Sequence, residues 1–256
     1  MRSMPDSFFE WVLFLLEEYW PLFLQGIGIT MAIAIIGTLI GFAIGLGVAL
    51  LRTIPEQKNP VLNFIVKIVR ALMAIYVEVF RGTPMIVQAM VMYYGFLSGM
   101  LTSLPSLWKG IVAAVIVISI NTGAYMAEII RGGIISVDYG QTEGAMSVGM
   151  THWQIMTHVV FPQAIRNIMP SIGNEFVVNI KDSSVLNVIS VAELYFVTKS
   201  AAGTYFRYFE AFFIAAVIYF ILTFAVTRIL RVIEKKMDGP DSYDIQTEET
   251  KTGGAA

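Results

Sequence analysis

The chain has 256 residues, 56% of them hydrophobic and only 14% charged, and its mean hydropathy is +0.70. Soluble chains carry about 25% charged residues, so these charges are too few to cover a water-soluble fold, and the chain reads as a one-domain, all-α integral membrane protein rather than a soluble enzyme. A net charge of -2 leaves no basic footprint for nucleic acid, and zero cysteines exclude disulfides, thiolate metal sites and cysteine nucleophiles.

Residues 1–20 carry Asp6, Glu10, Glu17 and Glu18 where a cleaved signal needs a basic region, and their aromatics (Phe8, Phe9, Trp11, Phe14, Tyr19, Trp20) predict an amphipathic helix in the outer interface. A helix needs about 20 apolar residues to cross a hydrocarbon layer of about 30 Å. The uncharged run 19–51 is the first such segment, entered past Pro21, and Gly37, Gly41 and Gly45 along it let another helix approach closely. Residues 60–81, with Asn63, Lys67, Arg70, Glu78 and Arg81 at helical spacing, are expected to lie on, or enter from, the inner surface; a full crossing there would raise the count by one. Thr83 and Pro84 suit the N-cap and first position of a second span over 83–108, begun at the inner surface with Arg81 beside the headgroups. The third span is 110–127, ending at Glu128 and Arg131, and the last is 211–227. Between them, 163–190 is taken as the fourth despite Glu175, Lys181 and Asp182, because charges can face a bundle interior.

Five transmembrane helices place the termini on opposite sides. With the N-terminus outside and the C-terminus cytoplasmic, twelve Lys and Arg fall inside and four outside, in line with the positive-inside bias. The membrane part is expected over 21–237, and 238–256 is expected to be a solvated, disordered acidic tail.

The inner segment between Arg131 and Phe161 is longer than an ordinary loop. Asp138 can cap a short helix carrying Gln141, Glu143 and Met146, Gly149 suits the left-handed position that closes it, and Thr151 with Gln154 forms a capping box for a second helix with Trp153, Ile155 and Met156 behind it. This helix, turn, helix unit is either an amphipathic hairpin on lipid or a docking knob for a cytoplasmic partner. Glu143 and the turn favour docking, since a helix on lipid prefers Lys and Arg on its polar face.

The run EGAMSVGMTHWQIMTHVVFP, 143–162, resembles the EAA loop of ATP-binding cassette importer permeases: Glu143, Ala145, Gly149 and Pro162 stand at the family's offsets, while Gly144, Val159 and Phe161 replace Ala, Ile and Leu. The blocks GIGITMAIAIIGTLIGFAIG (26–45), EVFRGTPMIVQ (78–88) and NEFVVNIKDSSVLNVISVAEL (174–194) extend the likeness to the polar amino acid branch of that superfamily. The resemblance implies a type I importer permease architecture of the MetI-like kind in the cell membrane, with a coupling loop over 136–162. It also implies a second permease subunit, in a homodimer or heterodimer, two cytoplasmic ATPase subunits gripping the EAA loops, and an extracytoplasmic binding protein that delivers the amino acid.

No Gly-x4-Gly-Lys-[Ser/Thr] loop is present to cradle phosphates, so the chain is not itself the ATPase; ATP and magnesium belong to the partner. His152 and His158, six residues apart, fall on opposite faces of a helix, and no metal or cofactor is expected on this chain. Coupling falls to Glu143, Ala145, Gly149, Thr151, Trp153 and Met156. For the substrate path, Glu175, Asn179 and Asp182 share one helical face and Lys181 lies about 100° away, leaving a surplus carboxylate that can receive an ammonium group. Asn121, Tyr125 and Glu128 form a similar face on the third span, although such groups can also satisfy one another, and Glu128 can pair with Arg131. Lys181, Asp182, Ser183 and Ser184 are expected at a gate or substrate site. The alternative function, an ion-coupled secondary amino acid transporter, would usually carry inverted internal repeats, and none is visible.

Overall fold

A computed structural model describes residues 5–54 and 56–238; beyond Asp238, the expected acidic tail lies outside the described residues. Helix α1 (Phe8–Thr53) starts at a capping box in which the Ser7 hydroxyl accepts from the Glu10 amide and the Glu10 carboxylate accepts from the Ser7 amide. It runs unbroken for 46 residues, about 69 Å at 1.5 Å per residue. Pro21 does not divide it, so the boundary expected at residue 20 is not a break in the helix. Its N-terminal end is packed into the bundle: Trp11 and Leu15 are buried, and Phe14 packs edge-on against Tyr205 at 5.2 Å.

Helix α2 (Pro60–Gly82) begins under Asn59, whose side-chain oxygen accepts from the amides of Val61 and Leu62. It is long and apolar enough to cross a membrane, and this corrects the expected second span. Residues 83–108 instead comprise the short helix α3 (Met85–Met92), a π-helical turn over Tyr93–Leu97, α4 (Ser98–Met100), a turn, and the start of α5 (Ser106–Ile135). Prolines, not charges, set these ends: Pro84 precedes α3 and Pro105 precedes α5, which then carries Lys109, Glu128 and Arg131 within its length. Thr83 is the C-cap of α2 rather than an N-cap, and its hydroxyl donates back to the Val79 carbonyl.

After α5 come α6 (Tyr139–Ser147), α7 (His152–Ile155), a π turn over Met156–Val160, α8 (Phe161–Asp182), a 3-10 turn over Ser183–Ile189, α9 (Leu194–Tyr205) and α10 (Tyr208–Asp238). The stretch His152–Ile189 meets α9 at 55°; counted with it as one bent span, the segments long and apolar enough to cross a membrane are α1, α2, α5, this pair and α10. No strand occurs among the described residues.

Helix α5 is the axis of the bundle. A Cβ on Gly37 would lie 2.5 Å from Ile118, one on Gly41 2.7 Å from Thr122, and one on Gly45 2.4 Å from Met126. Both sets advance by four residues, so α1 and α5 run parallel with backbones in close approach, as small residues at this spacing permit. Gly45→Ala, which would also bring a methyl to 2.8 Å from the backbone nitrogen of Ala127, should cost about 1–3 kcal/mol through overpacking. A lowered thermal midpoint of the detergent-solubilised protein measures that cost, and Gly47→Ala, which meets nothing, should leave it unchanged.

Candidate functional site

Two sites emerge, one inside the bundle and one on the hairpin. The inner one begins where α2 ends. The side-chain amide of Gln88 donates to the carbonyls of Phe80 and Thr83, both at 2.9 Å, and its oxygen accepts from Asn121 at 2.8 Å. Asn121 stands half-way along α5, so the end of α2 and the Thr83-Pro84 break lie beside the middle of that helix. The guanidinium of Arg81 accordingly sits over the Tyr125 ring, 5.5 Å from its centroid.

Next to this break α5 and α8 enclose a cleft of about 360 Å³ lined by Thr83, Asn121, Tyr125, Glu175, Asn179 and Asp182 among others. Five of the nine residues expected along the path therefore converge on one cavity. They do not all remain free to meet a ligand. Asn179 donates to Thr38 of α1 at 2.8 Å and accepts from Thr122 of α5 at 3.1 Å, so it staples three helices. Asn121 is likewise spent on Gln88. The groups left facing the space are the Glu175 and Asp182 carboxylates and the Tyr125 hydroxyl, none with an ion pair or hydrogen bond among the described residues.

The other four residues lie elsewhere. Lys181 is exposed and does not line the cleft. Ser183 is buried and its hydroxyl donates to the Ile180 carbonyl, and Ser184 accepts from Asn187 through its backbone inside the 3-10 turn. Glu128 pairs with Arg52 at the end of α1 and with Arg131 at 2.8 Å, the pairing that competed with a path role. It also borders a second, open cavity of about 550 Å³ lined by Gly132, Ser136, Asn167 and Ser171. On α5 the positions 121, 125, 128, 132 and 136 share one face, as do 182, 175, 171 and 167 on α8. Both cavities thus lie between α5 and α8, along the facing sides of the two helices.

The hairpin is built as its residues dictate. Asp138 caps α6 by accepting from the Gly140 amide. Gly149 adopts φ +83°, its amide donates to Met146, and the Met150 amide donates to Ala145, the paired bonds of a Schellman ending. Thr151 and Gln154 form the full capping box of α7. Ala145, Ile155 and Val160 bury themselves against Met150 and Met156. That burial turns Glu143 outward together with Tyr139, Met146, Val148 and Trp153, and Val148 and Trp153 are 76% and 74% exposed. So much apolar surface on one knob marks a contact surface. Of the coupling set, Glu143, Gly149, Thr151 and Trp153 are accessible, Ala145 is core, and Met156 is half-buried behind them.

The matches to known proteins follow the same arrangement. Residues 61–239 match the family described as binding-protein-dependent transport system inner membrane component. The chain belongs to this family. It is 31% identical to the arginine transport system permease protein ArtQ of Bacillus subtilis, over 86% of this chain and 94% of the relative. It is 34% identical to the glutamine transport system permease protein GlnP of Escherichia coli, over 85% and 93%. A solved amino acid ABC transporter with histidines superposes with a TM-score of 0.75 at 36% identity, covering 91% of this chain and all of the other. The inward-facing MetNI methionine ABC transporter shares the fold, with a TM-score of 0.68 at 19% identity. The expected permease architecture and its multi-pass membrane character therefore hold.

One residue of this permease escaped the sequence reading. Glu193, fully buried at the bend before α9, accepts from the amides of Tyr195 and Phe196 at 2.9 and 2.8 Å, from the Tyr219 hydroxyl at 2.9 Å and from Thr30 at 3.5 Å. It caps α9 and ties the bend to α1 and α10. Glutamate is not among the favoured caps and its partners are distant in sequence, so only the apolar run around an unpaired acid marked it.

Proposed function

We propose that the protein is the membrane subunit of an ATP-driven importer for a polar amino acid, with the α5–α8 cleft as its substrate site and the hairpin around Gly149 as its lever. The observation that carries this reading is the convergence of Glu175, Asp182 and the Tyr125 hydroxyl, all unpaired, on one cavity in the middle of the bundle. Two carboxylates in an enclosed space attract an ammonium group, and the amino acid permeases among its relatives give the ligand class. Below the cleft, the second cavity, beside Ser171 and Gly132, offers an exit towards the hairpin side.

Two copies of an ATPase are taken to grip Glu143, Trp153 and their neighbours, and a receptor delivers substrate at the opposite face. The N-terminus then lies outside and the C-terminus in the cytoplasm, as the distribution of Lys and Arg supports. A second permease copy or a homologous subunit completes the pathway. Closure of the ATPases would move the hairpin as a rigid unit, and α5 and α8, continuous with its two ends, would carry that movement to the cleft. Purified permease–ATPase complex in liposomes tests the site: Glu175→Gln with Asp182→Asn should abolish amino acid binding to the complex and ATP-dependent uptake, with basal ATP hydrolysis retained. Uptake within twofold of the unsubstituted protein would exclude the cleft.

A further inference from the structure

An apolar slot and a row of unpaired cations meet on one side of the bundle, apart from the cleft. Helices α1, α8 and α10 border a space of about 230 Å³ walled by Ile35, Leu39, Met169, Ile172, Phe176 and Leu230, none of which lines the cleft. Thr38 is the one polar side chain on the wall, and its hydroxyl is taken by Asn179 at 2.8 Å. A slot that offers no free hydrogen-bonding side chain suits neither water nor a polar ligand. One turn of a helix about 10 Å across and 5.4 Å in pitch fills about 420 Å³, so a helix of another chain is too thick to enter, whereas a single hydrocarbon chain fits.

The two ends of the slot differ. At one, Phe176 and Leu230 pack against the buried trio Ala34, Ile180 and Val226, which closes it. At the other, towards the hairpin, Ile165 of α8 and Ile233 of α10 extend the walls and are 44% and 42% exposed. Two exposed cations follow them: Arg166, one turn from Met169 on α8, and Lys236, on the face of α10 that carries Ile229 and Ile233. Neither has an ion pair among the described residues. Over residues 228–236, α10 sets Arg228, Arg231, Lys235 and Lys236 against Glu234 alone.

We propose that this slot is a specific site for an anionic phospholipid of the leaflet on the hairpin side, with one acyl chain between α1, α8 and α10 and the headgroup held by Arg166 and Lys236. Charge selects the headgroup, since a rim of unpaired cations favours a lipid of net negative charge over a zwitterionic one, whose own cation offsets its phosphate. Packing selects the chain, because hydrocarbon in the slot supplies the contacts that its apolar walls do not make with each other. The site stands whether or not the cleft carries substrate.

The test uses the permease–ATPase complex in vesicles of phosphatidylcholine with a minority of phosphatidylglycerol. A trace of either lipid carries the same photoactivatable diazirine in its acyl chain, and labelled peptides are located by mass spectrometry. Labelling of the segments 35–39 and 165–176 should be about tenfold stronger with the phosphatidylglycerol probe, the preference expected of two cations at a membrane surface. Arg166→Gln with Lys236→Gln should bring that probe down to the level of phosphatidylcholine and leave phosphatidylcholine unchanged. Leu39→Trp, at a position 65% exposed and so free of core packing, should fill the slot and reduce both probes there. Equal labelling by the two probes in the unsubstituted complex, a preference that survives the double glutamine variant, or unchanged labelling in Leu39→Trp would overturn the proposal. So would a disulfide-linked permease dimer formed through Leu39→Cys, since a second copy would then cover the slot.

Discussion

Replacing Gly149 by valine should reduce amino acid uptake and substrate-stimulated ATP hydrolysis to background while the protein still inserts and purifies in normal amounts. The residue holds φ +83°, and a branched side chain there costs on the order of 1–3 kcal/mol of backbone strain. A Cβ at this position meets nothing within 4 Å, so strain and not collision is the cause. Relief comes by unwinding the turn, which gives up the bonds from Gly149 to Met146 and from Met150 to Ala145 and moves Val148 and Trp153 relative to each other. The effect stays local because the hairpin core of Ala145, Ile155 and Val160 shares only Ile134, in the last turn of α5, with the neighbouring cluster around Ala49 and Ile130. ATPase assays with and without loaded receptor read the outcome. Uptake by the valine variant at the unsubstituted rate would remove the hairpin from the coupling mechanism.

Glu193→Ala is expected to damage the fold more than any other single polar change. The carboxylate is fully buried and receives two amides and two hydroxyls. Without it, the α9 amides and the Tyr219 hydroxyl lose their acceptor in a site where water does not enter. At about 1–3 kcal/mol for each buried group left without a partner, the total reaches several kcal/mol. Gly26 approaches this same bend so closely that a Cβ would lie 2.9 Å from the Leu194 backbone, so the bend cannot relax towards α1. The thermal midpoint of the solubilised protein should fall sharply, and Glu193→Gln, which keeps one acceptor oxygen, should fall less. Equal midpoints for the alanine variant and the unsubstituted protein would show that the bend is held by packing alone.

What was legible in the sequence was local. Asp138, Gly149, Thr151 and Gln154 act within a few residues of themselves, and the hairpin they predict is the hairpin that forms. The glycines at 37, 41 and 45 were equally readable, since only close helix packing explains that spacing. The crossings were less so. Counting charges placed boundaries at Arg81 and Lys109, yet the chain turns at Pro84 and Pro105, and Lys109 sits inside α5. Helical spacing put Glu175, Asn179 and Asp182 on one face, but it could not say that Asn179 would be spent on Thr38 and Thr122, or that Ser183 and Ser184 would turn away into the 3-10 segment. Those outcomes depend on partners up to 141 residues away.

Because the chain has no cysteine, a single one can be placed on the hairpin and followed without interference. Trp153→Cys, in liposomes holding the permease with its ATPase, is the decisive variant. ATP-dependent amino acid accumulation should occur only with ATP on the side from which an impermeant thiol reagent labels residue 153, and a short bifunctional linker should join that cysteine to the ATPase. Labelling from the receptor side alone, or no cross-link to the ATPase under conditions that sustain uptake, would contradict it.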